Sequence, residues 1–354
     1  MLSLFQKNIL ICGGAGFIGS NFVRLIYNNY PTYQIFNLDM LTYSGNRQNL
    51  EDIENNEINF SELEKRYKFV YGDICNGELL DALFAAHHFD MVINFAAESH
   101  VDRSLCSSYD FIRTNFTGVH TLIEQCRRYK TPRFMQISTD EVYGDIAENF
   151  SMEDSPLCPS NPYSASKAAA DLLIKSYMRS HRLAAVIIRG SNNFGPYQYP
   201  EKLIPLAITN YLENKKIPVH GSGKHVRSWV HVIDFCRAID VVLHRGEDAH
   251  IYNVGGVLKT NLEVLEAIKK VLVLSGELKD YIVHTNDRPG ADMRYAQNDA
   301  KICKKLGWSP LYQFDEVIGD TVRWYLDKKE WWKGIKEKQV FIDHYKRQEQ
   351  ANYY

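Results

Sequence analysis

The sequence predicts an α/β protein built on a doubly wound parallel sheet, with a smaller C-terminal α/β lobe, and three observations predict it. Short apolar runs alternate with segments of helical periodicity through the first half of the chain. The first of these runs ends in a cluster of glycines that opens a helix. The 354 residues exceed one ordinary core and suggest roughly two domains.

Asn8–Cys12 is the first buried-strand candidate, and apolar residues recur at helical spacing from Phe17 to Tyr27. Tyr33–Asp39, Tyr67–Asp73, Asp90–Asn94, Arg133–Ser138 and Ala184–Arg189 are the next strand candidates. Helical patterns at Glu78–Ala86 and Asn115–Tyr129 lie between them. Such alternation gives a parallel sheet covered on both faces. Residues 55–65 are polar and acidic and read as an insertion loop or short surface helix. From about Gly190 the pattern loosens into Asn, Gly, Pro and aromatic clusters. The expected organisation is a first domain over residues 1–190 with a return near 226–250, and a second lobe over 191–330. A charged, aromatic tail over 331–354 (Trp331, Trp332, Tyr353, Tyr354) should pack a helix on the surface and then fray.

A formal net charge of −2 excludes a bulk-basic nucleic-acid binder, which needs surplus Lys and Arg to displace counterions. Seven cysteines (Cys12, Cys75, Cys106, Cys126, Cys158, Cys236, Cys303) are scattered without a C-x-x-C pair, a pattern of reduced thiols rather than a disulfide frame or metal site. No apolar run approaches the ~20 residues that span a bilayer, and the first residues lack the pattern of a signal peptide. The expectation is a cytoplasmic chain with no membrane, nucleic-acid or metal partner.

Gly13-Gly14-Ala15-Gly16-Phe17-Ile18-Gly19 sits between a strand and a helix. Glycine lets the backbone turn tightly and approach a pyrophosphate, and the helix N-terminus offers free N–H groups to that anion. Asp39 ends the next strand, about 20 residues after Gly19, where a carboxylate accepts ribose hydroxyls and repels a 2′-phosphate. Together they read as a Rossmann-type domain that binds NAD through Gly13, Gly16, Phe17, Ile18, Gly19 and Asp39. The G-x-x-G-x-x-G spacing is that of short-chain dehydrogenase-type folds.

Tyr163-Ser-Ala-Ser-Lys167 puts a phenol and an ammonium on one face of a helix begun by Pro162. A neighbouring cation favours the phenolate, so Tyr163 could take a proton from a substrate alcohol. Ser138-Thr139-Asp140-Glu141-Val142-Tyr143-Gly144 follows a strand and therefore lies at the carboxyl edge of the sheet, where open α/β folds bind ligands. Thr139 could hydrogen-bond the reacting hydroxyl. Asp140 and Glu141 in a desolvated cleft could supply one acid and one base, which a plain dehydrogenase does not need.

With these motifs the chain resembles the nucleotide-sugar branch of the extended short-chain dehydrogenase/reductase family, and within it the 4,6-dehydratases that act on dTDP-glucose. The resemblance runs from Asn8 to about Trp332, through ICGGAGFIGSNFV, NLDMLTYSGN, GDI, AAESHVDRS, STDEVYGD, NPYSASKAAAD, SNNFGPYQYPEKLIP and DRPGADMRYA. It implies further cofactor contacts at Asp73, Ile74 and Ala97. It also implies nucleotide-sugar contacts at Ser99, Arg103, Asn192, Glu201, Lys202, Arg227, Asn261 and Arg288. The implied reaction converts an NDP-hexose to its 4-keto-6-deoxy form with internally recycled NAD. Tyr163, Lys167 and Thr139 would serve oxidation at C4, Glu141 would take the C5 proton, and Asp140 would protonate the departing C6 hydroxyl. A homodimer is implied too, packed through the helices around 115–129 and 163–178.

The chain departs from the family pattern in one region. His220 stands where a Tyr is usual, Arg227-Ser228-Trp229 replaces Arg-Asp-Trp, and Val257-Leu258 follow paired glycines where polar residues are common. UDP-glucose or another NDP-sugar therefore stays open as the substrate. So does 4-epimerisation, and a non-catalytic NAD-binding protein on the same fold is a third reading.

Overall fold

The computed structural model describes residues 5–350; Tyr353 and Tyr354 lie outside the described residues. Strand β1 (Lys7–Cys12) shows how the first sheet is made. Its Ile9 and Ile11 enter the apolar cluster on one face of the sheet, while Leu10 and Cys12 enter the cluster on the other. Side chains alternate across a strand, so a strand buried on both faces reads as a near-continuous apolar run. The same division recurs in β2 (Tyr33–Asp39), β4 (Met91–Asn94) and β6 (Ala185–Gly190). With β3 (Tyr67–Tyr71), β5 (Arg133–Thr139) and β10 (Ile251–Val254) these strands form a seven-stranded sheet in the order β10-β6-β5-β4-β1-β2-β3. Every pairing in it is parallel. The fold is therefore the Rossmann-type doubly wound sheet expected. The chain reverses direction across the sheet between β1 and β4, and open α/β sheets bind ligands at such a switch point.

The helix Phe17–Asn29 packs Phe22, Val23 and Ile26 on one face, beside the helix Val232–Arg245 with Phe235 and Ile239. On the other face lie Val119, Leu122 and Ile123 of the helix Val119–Arg128, and Ala170 and Ile174 of the helix Pro162–His181. Burying one such Leu, Ile or Phe side chain contributes about 1.5–3 kcal/mol.

The remaining strands make two small sheets. β9 (Val226–His231) lies between β7 (Asn192–Phe194) and antiparallel β11 (Val257–Thr260), and β8 (Ile217–His220) pairs with β12 (Ile282–Thr285). They cover a third apolar cluster containing Ile208, Trp229, Leu265, Phe314 and Tyr325. The return near 226–250 is thus divided. β9 stays with the small sheet, while the Val232–Arg245 helix and the seventh strand, β10, join the large one.

Residues 55–65 hold the end of a short helix (Glu51–Asn56) and turns. Beyond residue 328, the helix Lys329–Lys336 buries Trp332 in the third cluster, and a second helix, Gln339–Gln350, follows. No helix among the described residues is long and apolar enough to cross a membrane. All seven cysteines are free thiols.

Candidate active site

The glycine loop lies at the carboxyl end of β1, against the segment leaving β4. Gly13 has φ +78°, and a Cβ there would meet Ala96 N at 2.5 Å. A Cβ on Gly19 would stand 2.2 Å from Gly13 O, so the loop closes only with glycine at both positions. Asp39 caps the end of β2: its two carboxylate oxygens accept the N–H groups of Ala15 (2.9 Å) and Leu41 (2.8 Å). These bonds fix the carboxylate beside the loop, although burial pushes its pKa up.

A cavity of about 260 Å³ opens there. Gly13, Gly16, Phe17, Ile18, Gly19, Asp39, Asp73, Ile74, Ala97, Tyr163 and Lys167 all line it. A second cavity, of about 350 Å³, is lined by Asn192, Arg227, Asn261 and Arg288 together with Asp140 and Glu141. Ser99, Thr139, Tyr163, Glu201 and Lys202 belong to both walls, so the two cavities are halves of one cleft. Arg103 lines neither half. Its guanidinium lies 3.9 Å from the Tyr43 ring centroid and 3.6 Å from Glu201, behind the wall.

Local structure positions the reacting groups. The Pro162–His181 helix starts at Asn161, whose side chain accepts from Ser164 N (2.9 Å) in a reciprocal capping box, with Pro162 in the first turn. That start sets Tyr163 and Lys167 one turn apart, both buried. Thr139 ends β5 and accepts from Glu141 N (3.2 Å), beginning the tight turn Asp140–Tyr143. Beneath them Arg189 pairs with Asp171 at 2.8 Å and donates to the Tyr143 hydroxyl, which donates to Asn253. A π-helical turn at Arg113–Gly118 carries Asn115, which binds both backbone groups of Glu98 and donates to Ser166 Oγ, each at 2.9 Å. The loop from β4 is thereby tied to the Tyr163 helix.

The two adjacent carboxyl groups have different surroundings. Asp140 is 3 % exposed. Burial, then the neighbouring Glu141 charge, push its pKa up to about 8. Burial raises Glu141 too, but Arg227, Lys202 and Arg288 all favour its anion. The Glu141 charge raises Asp140, so Asp140 is the stronger proton holder and serves as the acid, with Glu141 as the base.

Lys167 donates to Ile137 O at 2.6 Å, and burial brings its pKa down to about 8. Tyr163 differs from expectation. Burial and the charge on Glu141 raise its phenol well above the ordinary value, a nearby Thr139 hydroxyl opposes them, and Lys167 is not among the groups that lower it. The ammonium donates to the Ile137 carbonyl, and burial with the Glu141 charge favours the neutral phenol. A positive charge brought beside it in the first cavity would act in the opposite sense.

Several lining residues were not singled out from the sequence. Tyr43 and Glu98 line the first half; His100 and Tyr295 line the second, beside His220. Burial moves Glu98 up to about 7. Tyr43 and Glu98 sit inside motif segments, where their neighbours gave a local signal. His344 and Tyr345 of the C-terminal helix also line the second half, and no motif marks them.

The family model described as GDP-mannose 4,6 dehydratase matches residues 10–321. A dTDP-glucose 4,6-dehydratase of Streptomyces niveus is 46% identical over 332 residues, covering 93% of this chain and 95% of that protein. The solved structure of DesIV, a dTDP-glucose 4,6-dehydratase of Streptomyces venezuelae with NAD and TYD bound, has a TM-score of 0.86 and 41% identity, covering 93% of this chain and 100% of that one. A UDP-glucose 4-epimerase of Thermotoga maritima, solved with UDP-glucose, is more distant: TM-score 0.81, 26% identity, covering 91% of this chain and 99% of that one.

Proposed function

The chain belongs to the GDP-mannose 4,6 dehydratase family, and we propose that it is a hydro-lyase that converts an NDP-hexose, dTDP-glucose foremost, to the NDP-4-keto-6-deoxyhexose. One observation carries the reading: Asp140 and Glu141, adjacent buried carboxyl groups of which Asp140 holds its proton to about pH 8, open into the half-cleft whose wall includes Tyr163. An epimerase needs no such pair, and the dehydratase relatives at 41–46% identity outrank the epimerase at 26%.

NAD fits the first half-cleft through Gly13, Gly16, Phe17, Ile18, Gly19, Asp39, Asp73, Ile74 and Ala97, and when bound it supplies a hydride acceptor for C4 and a hydride donor for C6. Tyr163, with Thr139 beside it, takes the proton of the C4 hydroxyl. Lys167 holds a positive charge behind Tyr163 up to about pH 8. A ketone at C4 acidifies the C5 proton, and Glu141 removes it. Asp140 gives its proton to the C6 oxygen, which leaves as water. The nucleoside diphosphate lies along Asn192, Lys202, Arg227, Asn261 and Arg288, where an Arg fork matches phosphate oxygens, with Ser99 at the hexose. Glu201 lines the same wall at the nucleotide sugar, and Arg103 braces it from behind.

The same reading assigns residues 1–190, with the return near 226–250, to the NAD side and residues 191–330 to the nucleotide-sugar side. It takes the working form as a cytoplasmic homodimer. Leu172 on the Pro162–His181 helix and Ile112 before the Val119–Arg128 helix are each 54% exposed, which supports pairing through this face.

Incubation with dTDP-glucose, UDP-glucose and other NDP-hexoses, followed by mass spectrometry, tests the function. Loss of one water supports it; an isobaric product means epimerisation, and no turnover of any of them refutes an enzyme of this class.

A further inference from the structure

The helix Gln339–Gln350 lies beyond residues 10–321 that the family model matches. Its spacing Phe341, His344, Tyr345 puts three rings on one face. Phe341 anchors that face. It packs in a cluster with Tyr199 and Ile335, flanked by Tyr43, Trp331 and Tyr345. Tyr43 and Tyr199 also line the first half-cleft, so the helix rests on the cleft wall itself.

The other two rings reach the second half-cleft. His344 is 7% exposed and meets His100 edge-on, with ring centroids 4.6 Å apart. Burial first, then Arg103, Arg288 and Lys202 against an opposing Asp102, bring its pKa down to about 4, so its ring is neutral at physiological pH. The Tyr345 hydroxyl is buried with no hydrogen-bond partner among the described residues, and Glu201 and Asp102 are near enough to raise its pKa. A buried hydroxyl left unpaired is destabilising, and a ligand oxygen in the cleft would pair it.

His100, Asp102 and His344 bring ligand atoms within 4.8 Å of one another, the spacing of a metal site. The charges argue against a cation. Arg288 already holds both oxygens of Asp102 (2.5 and 2.9 Å), and Lys202 and Arg103 add positive charge. Neutral ring nitrogens and an unpaired phenol amid these cations suit a ligand that carries both phosphate and hydroxyl oxygens.

We propose that the C-terminal helix completes the substrate site, with His344 and Tyr345 hydrogen-bonding the bound nucleotide sugar where its diphosphate meets the hexose. The inference rests on the reading that a nucleotide sugar occupies the cleft. His344 and Tyr345 are specificity-determining residues, supplied from outside the matched family region.

The test uses the full chain and Tyr345→Phe, which keeps the ring packed on Phe341 (centroids 5.0 Å apart) and removes only the hydroxyl. His344→Ala and a chain ending at Lys338 accompany it. The parent is assayed first with dTDP-glucose and UDP-glucose, and binding of dTDP-glucose is measured by calorimetry. Tyr345→Phe should raise KM and Kd for the sugar nucleotide about 3- to 10-fold, the range of one neutral hydrogen bond, with kcat within about twofold and bound NAD unchanged. His344→Ala and the shortened chain should raise KM further. A parent that dehydrates nothing refutes the proposed function; if it still binds dTDP-glucose, the Kd comparison decides the inference alone. Unchanged KM and Kd in Tyr345→Phe overturn the inference, and so does equal weakening of NAD retention, which marks a structural role. A parent that neither binds nor converts either nucleotide sugar overturns both.

Discussion

Glu141→Gln removes a proton acceptor from the cleft while keeping the shape of the side chain. Glu141 accepts no help from a second base, because its neighbour Asp140 holds a proton to about pH 8. General-base catalysis contributes about 10²–10⁴-fold, so kcat for dehydration should fall by that factor, about 3–5 kcal/mol on the barrier. Oxidation at C4 uses Tyr163, Thr139 and Lys167 and should survive. The substitution also removes the second-largest cause that raises Asp140, so Asp140 should release its proton at lower pH than in the parent. Rapid mixing with the sugar nucleotide, following the absorbance of reduced nicotinamide, reads the oxidation step; mass spectrometry of the product reads elimination. The expected result is reduced nicotinamide that accumulates with little loss of water. Dehydration at the parental rate, or equal loss of both steps, would refute the assignment of Glu141 as the C5 base.

Activity should decline as pH rises through about 8, where Asp140 loses the proton it gives to the C6 oxygen and Lys167 loses its charge; a kcat/KM profile flat from pH 7 to about 9 contradicts this. Asp140 also links pH to stability. Its folded pKa is raised, while an exposed Asp titrates near about 3.9, so its contribution falls as pH rises from about 4 to about 8, on the order of a few kcal/mol. Asp140→Asn should flatten that fall in urea titrations at the two ends of the window. Asp171→Asn leaves Arg189, 1% exposed, without its buried partner, and should cost about 3–5 kcal/mol of unfolding free energy in the same titrations. Gly19→Ala drives a Cβ to 2.2 Å from Gly13 O, and purified protein should carry at least about tenfold less NAD by chromatography of the released cofactor.

The glycine loop, Asp39, the Tyr163/Lys167 pair and the Asp140–Glu141 turn were legible in the sequence because each is a local device: a turn, a helix start, a strand end. Their chemistry follows from neighbours within a few residues. Features that depend on distant segments were not. The seventh strand, Ile251–Val254, has four residues and gains its meaning only by pairing with β6. Arg103 sits in a short helix, in a segment that the family pattern puts at the sugar, but its guanidinium stacks on Tyr43 instead of facing the cleft. The upward shift of Tyr163 comes from burial and the Glu141 charge, and Lys167 donates to the Ile137 carbonyl 30 positions earlier in the chain; neither follows from the local motif. His344 and Tyr345 lie in a charged terminal stretch, and only the docking of that helix on Tyr199 turns them toward the cleft.

In the proposed reaction a hydride leaves C4 and returns to C6 within one active site. Substrate carrying deuterium at C4, incubated without added NAD, tests it most directly. The dehydrated product should keep the deuterium, now at C6. Label washed out to solvent, or label still at C4 in an isobaric product, would contradict it.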